Sequence, residues 1–180
     1  MIANDFLSHA FMDREWKRVE RIANKILTSA EITFWKKHAQ SKVVLFKFWV
    51  AKEASYKMAS RQFDLPRTFA PKNFPCQFLS EDQFSCQCGP HDYSGEWLFN
   101  EKGLLAVIQF DSRSVAEHFW VPYTNARRAP ARHAMLGDLQ KSHPTSFENM
   151  RSSHFEARVH PHYCRSYSEP WGVCSLELNS

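Results

Sequence analysis

Residues 48–57 read FWVAKEASYK, and the way this stretch folds decides the architecture around it. Its apolar residues and those flanking it (Val44, Leu45, Phe48, Trp49, Ala51, Tyr56, Ala59) recur at helical spacing and do not alternate. That predicts an amphipathic helix over about 42–61, with Ser41 as its candidate N-cap. Glu53 and Lys57 are four residues apart, so both heads lie on one face, one turn from each other. Lys52 adjoins Glu53 in sequence but points elsewhere, because neighbouring helix positions do not face each other. The plainest reading is a surface helix carrying one Glu–Lys pair worth roughly a few tenths of a kcal/mol. The segments on either side decide whether it is more than that.

Upstream, residues 1–9 read as a short strand, with Ile2, Phe6 and Leu7 around Asn4 and Asp5. An acidic residue in a buried strand needs a partner or a ligand, unless it caps the helix that follows. Residues 10–25 carry Phe11, Trp16, Val19, Ile22 and Ala23 at helical spacing, with Arg14, Lys17, Arg18 and Arg21 on other faces. Such a basic face is ordinarily solvated, and it also suits a phosphorylated ligand. ILTSAE (26–31) holds a capping box, Thr28 as N-cap and Glu31 at N3, which starts a short helix running to about His38.

Downstream, Pro66, Pro71 and Pro75 exclude a continuing helix. We read a loop carrying Arg61, Arg67 and Lys72, a strand at about 73–79, and a polar, turn-like stretch over 80–92. SGEWLF (94–99) and GLLAVIQF (103–110) read as two strands, joined into a hairpin by the turn NEKG. From Asp111 the character changes. A helix is expected near 130–141, and residues 142–180, rich in Ser, His, Pro and Arg, read as a weakly structured extension. Residues 1–110 form one unit, and 111–180 an extension or degenerate second unit.

The composition suits a globular chain: 43% hydrophobic and 23% charged residues over 180 positions are enough for one sizeable core. The net charge of +4 permits an acidic partner, but no dense basic run argues for nucleic acid. No apolar run is long enough to span a membrane, and MIANDFLSHAFMDREW lacks the basic-then-apolar order of a secretory signal. A cytoplasmic location is the expectation, with the 5 cysteines as free thiols.

Three pieces together resemble the 4'-phosphopantetheinyl transferase superfamily of holo-acyl-carrier-protein synthase type. IANDFL is similar to the family's opening strand, with Asp5 at its magnesium-binding Asp and Ala3 where a Gly would stand. KILTSAE is similar to its I-F-T-x-x-E helix start. FWVAKEASYK matches its W-x-x-K-E-A-x-x-K signature over Trp49, Lys52, Glu53, Ala54 and Lys57. The loop with Arg61, Gln62, Phe69, Ala70, Pro71 and Lys72 also looks like that of bacterial members.

The resemblance covers about residues 1–110 and implies an α+β fold, a small antiparallel sheet with helices packed on one face. It implies Mg2+-dependent transfer of phosphopantetheine from coenzyme A to a serine of an acyl or peptidyl carrier protein. It further implies Asp5 and Glu53 as metal ligands and Glu53 and Lys57 as catalytic groups. Leu7 stands where larger members have a second acid, so the metal would have two protein carboxylates. Arg14, Arg18, Arg61 and Lys72 are the candidate cations for the phosphates of coenzyme A, and Phe69 and Phe74 either fill the core or stack on adenine. Single-unit members assemble as oligomers, commonly trimers, and double-length members hold both units in one chain; the length here is intermediate.

Two rival readings stand beside this one. Cys86-x-Cys88 with His91, or His160-x-His162-x-Cys164, offers zinc ligands, but without a second Cys pair at suitable spacing. A catalytically impaired homologue acting as a binding protein is the other, motivated by Ala3, Leu7 and the unmatched C-terminal third. No phosphate-binding Gly-rich motif and no Ser-His-Asp or nucleophilic-Cys motif is present.

Overall fold

The central helix, α4 (Lys42–Phe63), lies across a five-stranded antiparallel sheet and buries Leu45, Phe46, Phe48, Val50, Ala51, Ala54, Met58 and Ala59. The computed structural model describes residues 1–63, 65 and 68–109, together with the backbone of three later strands at 115–122, 163–168 and 171–178. The helix expected at 130–141, Arg67, His160 and His162 lie outside the described residues.

The chain opens with β1 (Ile2–Ser8), passes through α1 (His9–Trp16), α2 (Val19–Ile26) and α3 (Ser29–Lys37), and reaches α4. After a 3-10 turn at Pro71–Asn73 come β2 (Cys76–Phe78), β3 (Gln83–Cys88), β4 (His91–Phe99) and β5 (Gly103–Gln109). The sheet order is β1-β5-β4-β3-β2. β1 therefore pairs with the last strand of the sheet, with Asp5 opposite Ala106. All seven residues of β1 are buried, although it is a terminal strand of its sheet. α4 packs against it, and so do β7 (Tyr163–Ser168) and β8 (Trp171–Leu178). With β6 (Val115–Pro122) these form a second antiparallel sheet in the order β6-β8-β7. The stretch 142–180 thus contains two strands where the composition suggested only an extension.

Local chemistry explains most of the boundaries. Thr28 and Glu31 form the capping box at the start of α3, Thr28 N donating to Glu31 Oε2 at 2.6 Å and Glu31 N to Thr28 Oγ1 at 3.4 Å. Ala39 and Gln40 turn the chain with φ of 51° and 52°, and Ser41 O accepts the Leu45 amide at 3.1 Å as α4 begins. At the β4–β5 hairpin Gly103 takes φ +154°, and a Cβ there would meet Leu7 O at 2.2 Å. Asn100 Oδ1 supports this turn by accepting from the amides of Lys102 and Gly103 at 2.9 and 3.3 Å.

Two elements differ from the sequence expectation. The helix read over 10–25 is broken at Lys17–Arg18, where Arg18 takes φ −124°, ψ 30°. The stretch 80–92 contains β3, whose Phe84 and Cys86 are buried while Gln83 and Gln87 are exposed.

Candidate active site

The site forms where α4 crosses the middle of β1. One helical turn separates Trp49 from Glu53 and another separates Glu53 from Lys57, so all three side chains share a face of α4. Lys57 Nζ donates to Asp5 Oδ1 at 2.7 Å and to the carbonyl of Asn4 at 3.0 Å. Trp49 Nε1 donates to Glu53 Oε1 at 2.8 Å, so the indole positions this carboxyl as well as packing against Phe11 and Phe46. Asp5 Oδ2 is buried with no N–H or hydroxyl donor upon it; the Glu53 carboxyl adjoins Asp5 and hydrogen-bonds to it when protonated.

Electrostatics follow from this crowding. Burial pushes the Asp5 carboxyl above the ordinary range, and the Lys57 ammonium opposes the rise. Burial and then the charge on Asp5 push Glu53 up to about 7, with Lys57 and the Trp49 indole opposing. Near neutral pH Glu53 is therefore divided between its protonated and ionised forms. Two carboxyls facing one another suit a hard divalent cation, which is commonly held by one or two carboxylates, waters and substrate phosphates. Among the described residues no group of three or more His, Cys, Asp or Glu side chains converges on one point. Ala3 is fully buried opposite Ile108, and Leu7 is buried opposite Leu104.

Beside Glu53 opens a cleft of about 330 Å³. Trp49 and Glu53 line one side, and Phe69 and Pro71 of the loop after α4 contribute to its wall. α2 supplies Arg18, Arg21 and Lys25, with Ile22 and Ile26. The break leaves Arg18 as the N-cap residue of α2, and intervals of three and four residues bring Arg21 and Lys25 to the same side.

The four cations proposed from sequence separate here. Arg18 lines the cleft. Arg14 is solvent-exposed, paired with Glu15 at 3.1 Å and lying over the Phe11 ring. Arg61 donates to the carbonyl of Ile2, tying the end of α4 to β1. Lys72 is exposed and outside the cleft lining. Arg21 and Lys25 join Arg18 instead; Arg21 was visible in the basic face of 10–25, whereas the same spacing could have added Lys25. Phe74 is 4% exposed and packs edge-on against Tyr56; Phe69 is half-buried and reaches the cleft.

Lys52 turns inward, fully buried, and donates to Glu31 Oε2 at 2.6 Å and to the carbonyl of Ile26 at 2.9 Å. Glu31 Oε1 accepts the Cys76 amide at 2.6 Å. One buried ion pair thus joins the end of α2, the start of α3, α4 and β2, fixing the cleft wall relative to Glu53.

Two carboxyls and a lysine on an α+β scaffold, beside a cation-lined cleft, suit a phosphorylated ligand. The model of the 4'-phosphopantetheinyl transferase superfamily matches residues 2–121, and the chain belongs to that superfamily. Comparisons with curated proteins and with solved structures gave no significant match.

Proposed function

We propose that this chain transfers the 4'-phosphopantetheine group of coenzyme A to a serine hydroxyl of an acyl or peptidyl carrier protein, with Mg2+, releasing 3',5'-ADP. The observation that carries this reading is the pair of buried carboxyls, Asp5 and Glu53, set against one another beside the cationic cleft. Attack at phosphorus within a pyrophosphate depends on charge neutralisation and alignment more than on covalent help from the protein. Asp5 and Glu53 are the residues that would hold magnesium, which supplies charge neutralisation at the pyrophosphate oxygens. Arg18, Arg21 and Lys25 receive phosphate groups, and Phe69 offers an apolar surface to the base. Lys57, already hydrogen-bonded to Asp5, stabilises phosphate charge and is the candidate donor to the leaving phosphate. Glu53, with its carboxyl tuned to about 7 and aimed by Trp49, is the candidate acceptor of the serine proton, directly or through a water.

The test is mass spectrometry of apo carrier proteins of fatty-acid, polyketide and peptide type incubated with the chain, coenzyme A and Mg2+. The expected result is addition of one phosphopantetheine to the carrier serine, lost in Asp5→Asn and in Glu53→Gln. No gain on any carrier would refute the transferase reading and leave that of a binding homologue, which Ala3 and Leu7 favour. We further propose a cytoplasmic location and a site completed by a second structural unit, from a homotrimer or from the C-terminal strands; native mass distinguishes the two.

A further inference from the structure

β2 and β3 bring two thiols face to face, away from the cleft. Cys76 stands directly opposite Cys86 in the antiparallel register. The ladder bonds Leu79 N to Gln83 O and Gln87 N to Pro75 O, both 2.9 Å, place Cys76–Cys86 at a non-hydrogen-bonded position. At such positions the Cα atoms approach to about 4.5 Å, within the roughly 4.4–6.8 Å that a disulfide spans. Both residues are free thiols on the buried face of the sheet, 5% and 0% exposed. Cys88 follows on the same face of β3, but two residues along one strand lie about 6.7 Å apart with parallel Cβ vectors, which cannot be bridged without moving the backbone.

We propose that Cys76 and Cys86 are a reversible cross-strand disulfide site, closed by a low-molecular-weight disulfide and reopened by excess thiol. One cysteine, as thiolate, attacks the small disulfide and releases one thiol. The second cysteine attacks the mixed disulfide and releases the other. The protein gives up two electrons and two protons, and the small disulfide becomes two thiols.

Access comes through β2. It is a three-residue terminal strand, and Pro75, Gln77 and Leu79 are exposed along it. Short terminal strands open locally at a fraction of the cost of global unfolding. Burial pushes the Cys76 thiol well up, so the closed strand is unreactive and the rate follows opening. Closure has a structural consequence, because the Cys76 amide is held by Glu31, the partner of Lys52. The bond fastens the edge of the sheet to the ion pair that anchors α3 on α4.

The experiment is incubation of the full chain with oxidised glutathione, in buffer and in urea below the unfolding transition. Maleimide labelling and peptide mapping follow. The expected result is two fewer maleimide adducts than in the reduced chain, a Cys76–Cys86 linked peptide, and recovery of both adducts with dithiothreitol. Cys76→Ser and Cys86→Ser should each abolish the linked peptide. A full adduct count in urea, or linkage of either residue to Cys88, Cys164 or Cys174 in its place, would overturn the proposal. The readout is covalent and independent of transferase activity.

Discussion

Lys57 Nζ sits 2.7 Å from Asp5 Oδ1, joining residues 52 apart in sequence through a pair in which the carboxylate side chain is 7% exposed. Removing the ammonium leaves a buried carboxylate whose other oxygen already lacks an N–H or hydroxyl donor. Breaking a fully buried pair costs about 3–5 kcal/mol, and the partial exposure of Lys57 reduces this. Lys57→Met should therefore lower stability in urea by about 1–3 kcal/mol at pH 7. The loss should shrink as acid protonates Asp5. An equal loss at all pH values would show that the pair is not its cause.

Glu53 links stability to pH. Its folded value of about 7 lies above the ordinary 4.5, so the folded state binds the proton more tightly than the unfolded one. The penalty for ionising it is absent below the unfolded value, grows between about 4.5 and 7, and is fully present above. Without metal, stability should fall across that window, and Glu53→Gln should flatten the fall by about 3 kcal/mol. If Asp5 and Glu53 hold a divalent cation, Mg2+ should raise the thermal midpoint at pH 8 more than at pH 5. Thermal scans at the two pH values, with and without Mg2+, check both points.

The Trp49–Glu53 hydrogen bond favours the ionised carboxylate. Trp49→Phe keeps a ring beside Phe11 and Phe46 but removes the donor. Glu53 should then ionise at higher pH, by up to about one unit for a hydrogen bond of roughly 1 kcal/mol. In the proposed reaction the ascending limb of the pH–rate profile should move the same way, to higher pH, with little change in the unfolding midpoint. A drop in rate with no shift of the limb would assign the indole to packing alone.

The parts of this fold that were legible in sequence rest on local physics. The Thr28–Glu31 box, the apolar spacing of α4 and the Asn100–Gly103 turn involve residues within a few positions of each other. The break between α1 and α2 was not legible, because neither Gly nor Pro marks it and Arg18 makes no side-chain cap. β3 was legible and passed over: Gln83, Ser85 and Gln87 alternate with Phe84, Cys86 and Cys88, but the polar residues on either side read as one long turn. Lys52 illustrates the harder case. A lysine beside the site glutamate reads as solvated, and its burial depends on Glu31, 21 residues away, which the sequence had assigned to a cap. The Trp49–Glu53 spacing was in plain view; what was missing was a reason to treat an indole as a donor.

The Lys52–Glu31 pair is buried at both ends, with side chains 0% and 5% exposed. Lys52→Met should destabilise by about 3–5 kcal/mol, since Glu31 is left charged in the core. Lys52→Met combined with Glu31→Gln should recover part of that loss, because a neutral amide oxygen can still accept from the Thr28 or Cys76 amide. Denaturant titration of the two single variants and the double variant gives the coupling directly. Additive losses would mean that the two side chains do not depend on each other.

The cleft cations separate binding from chemistry. Arg18, Arg21 and Lys25 line the cleft, whose lining does not include Asp5 or Lys57. A charge-assisted hydrogen bond to phosphate contributes about 1.5–3 kcal/mol, and partial solvation brings this nearer to 1.4 kcal/mol, or about tenfold in affinity. In the proposed reaction Arg18→Ala, Arg21→Ala and Lys25→Ala should each raise KM for coenzyme A by about tenfold, with kcat much less affected. Their effect should shrink with added salt. Arg14→Ala should stay within about twofold of the parent, because Arg14 is already paired with Glu15 at the exposed end of α1. Dephospho-coenzyme A, which lacks the 3'-phosphate, identifies the contact. The cation that binds this phosphate should show little further loss with the truncated substrate, while the other two variants keep their full penalty. Equal losses for all three variants with both substrates would remove the 3'-phosphate from the cleft.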